Sequence, residues 1–130
     1  MTANPYQNSQ DLEVLSASPM ELVLLLYRGA LDGVDSAKRN LAAGDIKGRS
    51  KGISKACAIL AELANSLDHA CAPELSHQLA VLYEYMHHQL CSANIEQTTE
   101  PLDEVRGLLV TMLGGWQQVC LQELEERNAA

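Results

Sequence analysis

Phenylalanine is absent from this 130-residue chain, and four Tyr and one Trp are its whole aromatic complement. β-Branched residues are scarce too: Val, Ile and Thr together number 15, against 21 Leu and 16 Ala. Strands draw on aromatic and β-branched side chains to cover a pleated surface, whereas Leu and Ala lose little rotamer freedom in a helix. These shortages argue against an all-β fold and for helices. Long apolar runs are missing as well. The strongest, Leu22–Tyr27, falls far short of the roughly 20 residues that cross a bilayer. Cys57, Cys71, Cys91 and Cys120 form no Cys-x-x-Cys pair and read as reduced, small apolar residues. Met1–Tyr6 offers neither a basic start nor an apolar core, so no secretory leader is expected and the cytoplasm is the expected location.

Positive charge is in deficit. Nine Lys and Arg face 17 Asp and Glu, for a formal net charge of −8. That balance argues against a nucleic-acid partner and against attachment to an anionic membrane. The bases are not spread evenly: Lys38, Arg39, Lys47, Arg49, Lys51 and Lys55 fall in one segment with a single acid, Asp45. No aromatic residue interleaves them, so the segment reads as a solvated or internally neutralised face.

Apolar residues, at 47% of the chain, are too many for disorder of the whole and suit one domain at this length. Ser18-Pro19-Met20-Glu21 is a capping box with Pro at the first helical position. Behind it Val23, Tyr27, Ala30, Val34, Ala37 and Leu41 recur at helical spacing. A second stripe runs through Ile53, Cys57, Leu60, Ala64 and Leu67, and a third through Leu75, Leu79, Leu82, Met86, Leu90 and Ala93. A fourth joins Leu102, Val105, Leu109, Met112, Trp116 and Val119. The pattern predicts an arm over 1–18 and helices over about 19–43, 46–67, 73–94 and 100–127. Short connections make antiparallel neighbours the natural packing. The expected fold is all-α: an antiparallel up-down four-helix bundle with an N-terminal arm or short extra helix.

Groups for chemistry are sparse. Gly44, Gly48 and Gly52 follow no strand and match no phosphate loop; a weak helix start is the preferred reading, a close-approach surface for another helix the other. His87 and Cys91 stand four apart and could share an ion, yet the neighbouring helices supply no matching His, and di-iron bundles draw ligands from several helices. No Ser or Cys sits in a nucleophile motif. Neither a catalytic, a cofactor nor a metal site is expected, and the chain does not read as an enzyme.

Apolar side chains, by contrast, exceed what a bundle needs. Leu22 through Tyr27 cover well over half of the first helix's circumference, and Leu82, Tyr83, Tyr85 and Met86 span several faces of the third. A bundle helix buries only a stripe. The surplus must be covered by the arm, through Tyr6, Leu12 and Leu15, or by a partner. Met112 and Trp116 read as core from their stripe positions.

Several stretches together resemble the flagellar secretion chaperone family. They are Asn4-Pro5-Tyr6, Ser18-Pro19, Leu26-Tyr27-Arg28-Gly29-Ala30-Leu31, Ile53-x-Lys55-Ala56, Leu67-Asp68, Leu82-Tyr83-Glu84-Tyr85-Met86, Ala93-Asn94, Val105-Arg106-Gly107-Leu108-Leu109 and Trp116. Their order and spacing carry the likeness; no single tetrapeptide does. Arg28 stands where that family commonly has Asp, and Ala72-Pro73-Glu74 where it has a Gly-Gly-Glu turn. The resemblance implies a helical bundle without enzymatic activity or cofactor. It implies binding of the disordered C-terminal segment of flagellin, protection from premature polymerisation, and delivery to the flagellar type III export gate. It gives Tyr6 and its neighbours the role of a displaceable cap. The partner-contacting residues expected on these grounds are Tyr6, Leu12, Leu15, Tyr27, Leu31, Tyr83, Tyr85 and Met86, in a monomer or weak homodimer. A generic dimerisation or adaptor domain is the main alternative, and a metal-binding bundle comes after it.

Overall fold

The computed structural model describes residues 18–129. Four helices follow one another there: α1 (Pro19–Ala43), α2 (Ile46–Asn65), α3 (Pro73–Glu96) and α4 (Glu100–Ala129). Each boundary has a local cause. Ser18 Oγ accepts from the Glu21 N–H at 3.2 Å, with Pro19 in the first turn. Gly44, at φ 73°, supplies the left-handed residue that ends α1 at no steric cost. Asp45 then caps α2, its Oδ1 accepting from the Gly48 N–H at 2.9 Å. α2 stops at Asn65 rather than near Leu67, because side chains take over the backbone partners. Ser66 Oγ donates to the Glu62 carbonyl at 2.8 Å, and Asp68 Oδ1 accepts from the Ala70 and Cys71 N–H groups at 3.1 Å. α3 runs on to Glu96, where Gln97 turns left-handed at φ 59°.

α1 packs on α2 and α4, and α3 packs on the same two helices, so the four form a ring with α1 and α3 on one diagonal. Cross-links between neighbours run in opposite chain directions. Asp35 pairs with Arg106 and Lys38 with Asp103 between α1 and α4. An all-α antiparallel bundle is therefore the fold. Its core draws on all four stripes: Tyr27, Ala30, Val34 and Ala37; Ile53, Ala56, Leu60 and Leu63; Tyr83, Met86, Leu90 and Ala93; Leu102, Val105 and Leu109. Ala56, Leu63 and Tyr83 are buried there, while their stripe neighbours Cys57, Ala64 and Leu82 are half-buried.

The closest approach is between α1 and α2, and it corrects the reading of the glycines. A Cβ on Gly33 would lie 2.7 Å from the Gly52 carbonyl oxygen, and one on Gly52 would lie 2.6 Å from that of Gly33. Gly52 is thus a contact surface, not merely a weak position in a helix start. Small residues bring the two backbones together and leave no room for a side chain at either glycine.

Arg49 departs from the expected solvated or internally neutralised face as well. It is buried, and its guanidinium donates to the Asn94 side-chain oxygen at 3.0 Å and to the Asn94 backbone carbonyl at 3.2 Å. Ser50 Oγ adds a bond to the same side chain at 3.2 Å. Among the described residues no buried side-chain nitrogen or oxygen lacks a partner.

Candidate functional site

Of the residues expected to meet a partner, Tyr27, Tyr83 and Met86 lie in the core, at 0%, 4% and 0% exposure. They support a surface from beneath and form none themselves. The tyrosines meet on the diagonal, hydroxyl to hydroxyl at 2.7 Å, an arrangement that satisfies two polar groups where water cannot reach. Burial raises both phenols above the ordinary tyrosine value, most strongly Tyr83, where the bond to Tyr27 adds to it; for Tyr27 the bond to Tyr83 opposes the rise. Leu31 is half-buried against the core. Tyr85 is exposed, and its hydroxyl donates to Glu104 of α4, which also accepts from Gln89 at 2.9 Å. The carboxylate beside it raises the Tyr85 phenol. Tyr6, Leu12 and Leu15 lie outside the described residues.

The core does not fill the ring evenly. In α3 the first buried apolar residue is Tyr83, ten positions past the helix start, and in α4 the last is Leu109. Beyond Cys120 every described residue of α4 is exposed. The start of α3 and the later turns of α4 therefore share one end of the bundle with apolar side chains left open. Leu75, Leu79, Met112, Gly115, Trp116 and Val119 line a cleft of about 320 Å³ there. Met112 and Trp116 are half-buried against the core rather than enclosed in it. The start of α1 and the end of α2 lie at the same end of an antiparallel ring. Pro19, Leu22, Val23, Leu25 and Leu26 line a second cleft of about 470 Å³, with Glu62 and Ser66. Leu121 and Leu124 continue the apolar surface along α4, at 55% and 44% exposure.

The sequence flagged the surplus of α1 but placed that of α3 about two turns too late. Leu75 and Leu79 stand on the same stripe as the core residues of α3, so their spacing looks like core. Only the depth of the ring at that end separates the two.

On the opposite flank of α2 the fold assembles a group that no single helix displays. Cys57 of α2 joins His87 and Cys91 of α3, with one ligand-type atom from each within 4.8 Å of the others. Burial pushes the Cys57 thiol up to about 11, and the neighbouring Cys91 adds to the rise. No described helix is long and apolar enough to cross a membrane.

By fold this is an all-α four-helix bundle, with open apolar clefts at the end where α1 begins. The family model described as flagellar protein FliS matches residues 2–123. The chain belongs to the FliS family of flagellar secretion chaperones, which is not a family of enzymes. It is 32% identical over 127 residues to the flagellar secretion chaperone FliS of Bacillus subtilis, covering 98% of this chain and 94% of the relative. With FliS of Salmonella typhimurium it shares 33% over 114 residues, 87% of this chain and 84% of that one. With the chaperone FliSB of Pseudomonas aeruginosa it shares 36% over 110 residues, 85% and 87% of the two chains.

Proposed function

We propose that this chain binds the disordered C-terminal segment of flagellin in the cytoplasm, holds it from polymerising, and helps pass it to the flagellar type III export apparatus. The observation that carries this reading is the unfilled end of the bundle. Two apolar clefts open there on a scaffold whose remaining seams are tied by ion pairs and side-chain hydrogen bonds. A segment that orders on binding must bury a large surface to offset its lost entropy. Helix-in-groove docking needs apolar anchors at helical spacing, and Leu75, Leu79, Met112, Trp116 and Val119 present a receptor for them. Trp116 and Met112 suit the role: one offers a large rigid contact and the other an adaptable one.

Residues 1–18 enter the proposal as a displaceable cover. Ser18 caps α1 at the end where the clefts open, and the proposal gives Tyr6, Leu12 and Leu15 the task of covering that surface while flagellin is absent. Leu31 and Tyr85 remain candidate contacts on the flanks.

Co-expression with flagellin tests the reading. Full-length flagellin is expected to co-purify with the chain, and flagellin cut short at its C-terminus is expected not to. Equal recovery of both, or of neither with a folded chaperone, would contradict it. A chain that instead pairs with itself through Leu121 and Leu124 would scatter light as a dimer that flagellin leaves intact.

A further inference from the structure

The cysteines were expected to be isolated, small apolar residues. Two of them are not isolated. Cys57, His87 and Cys91 bring two sulfurs and an imidazole nitrogen within 4.8 Å of one another across the seam between α2 and α3. His87 and Cys91 are one turn apart on the same face, and Cys91 Sγ stands 3.7 Å from His87 Nε2. A tetrahedral zinc ion, with bonds of roughly 2.3 Å to sulfur and 2.0 Å to nitrogen, separates a sulfur from a nitrogen ligand by about 3.5 Å and two sulfurs by about 3.8 Å. One edge of such a tetrahedron is therefore almost in place. Side-chain shifts of about 1 Å or less close the others.

Surroundings fit as well. Cys57 and Cys91 are half-buried and His87 is exposed, so an ion can enter from solvent and still rest against protein. A cleft of about 440 Å³ lies beside Cys57 and His87, and Glu84, one turn before His87, lines it too. Thiolate and imidazole together select zinc over magnesium, calcium or manganese, which take oxygen ligands.

We propose that Cys57, His87 and Cys91 bind one zinc ion, with water or the Glu84 carboxylate as fourth ligand. Binding releases the two thiol protons to solvent. The ion ties α2 to α3 beside the Arg49–Asn94 link and stabilises the folded chain by mass action. None of the three ligands lines either apolar cleft at the open end, so zinc acts on the scaffold and does not compete with a bound segment.

Cobalt serves as the coloured probe. The full chain, reduced and stripped with chelator, is titrated with Co²⁺ and then with Zn²⁺. The expected result is one Co²⁺ per chain with a near-ultraviolet thiolate-to-cobalt band, bleached by one equivalent of Zn²⁺, and a zinc-dependent rise in melting temperature. His87→Gln, at an exposed position, retains the fold and is expected to weaken zinc by roughly tenfold or more, since even loss of a supporting partner costs about that much. Cys57→Ala and Cys91→Ala abolish the two-thiolate band, with helix content checked by circular dichroism. Cys71→Ser and Cys120→Ser leave it unchanged. No band in the parent chain, a band that survives Cys57→Ala or Cys91→Ala, or zinc affinity untouched by His87→Gln would overturn the assignment.

Discussion

Tyr27 and Tyr83 are the polar pair inside the apolar core, and their value rests on each other. Their hydroxyls meet at 2.7 Å in a core that otherwise holds only apolar side chains. Removing one hydroxyl leaves the other buried without its partner, which costs about 1–2 kcal/mol, whereas removing both is nearly neutral. Tyr27→Phe and Tyr83→Phe should therefore each destabilise by about that amount in urea, and the double variant should cost no more than either single. Additive losses would show that the bond contributes nothing. A pH dependence follows from the same groups. Both phenols are raised above 10.0 in the folded chain. Raised acids lend stability that is complete below their unfolded values and is lost as pH climbs through the folded ones. The melting temperature should fall from about pH 10 upward, and less steeply in the double Phe variant.

At the scale of the helix, the same substitution should have opposite signs at two glycines. Gly52→Ala places a Cβ 2.6 Å from the Gly33 carbonyl oxygen and 2.9 Å from the Ala37 nitrogen, both backbone atoms that cannot turn aside. Forcing α1 and α2 apart costs about 1–3 kcal/mol, more than the gain in helix propensity returns. Gly107→Ala meets nothing within 4 Å and should stabilise by about 0.5–1 kcal/mol. Denaturant midpoints check both, and equal shifts would refute the close approach. The contrast also marks what is legible in a sequence. Periodicity placed Tyr27, Ala30, Val34 and Ala37 on the buried face of α1, and Ser18-Pro19 and Gly44 marked its ends, because those signals lie within one helix. Whether Gly52 faces solvent or another backbone depends on the register of α2 against α1, which no spacing along α2 encodes. Cys57 was missed as a neighbour of His87 and Cys91 for the same reason. Met86 stands on the apolar stripe of α3 and was also expected as a partner contact, because α3 carries apolar residues on several faces, and only packing tells which face is inside.

For the whole molecule, part of the charge pattern is internal. Lys38 pairs with Asp103, and Arg49 is buried on Asn94, so the basic segment is partly consumed by the fold rather than offered to an anion. The apolar surplus is not consumed. Part of it collects at one end, where Leu75, Val119, Leu121 and Leu124 are exposed, because α3 begins, and α4 continues, beyond the reach of the core that Tyr83 and Leu109 bound; Ile46 and Ile95 are exposed at the other. The family assignment is consistent with a bundle left open at that end. The most direct measurement is a calorimetric titration of a peptide from the flagellin C-terminus into the full chain over a range of temperatures. The account predicts one-to-one binding with a strongly negative heat-capacity change, as apolar surface at the open end is buried. A folded chain that takes up no peptide, or binds it with no heat-capacity change, would contradict it.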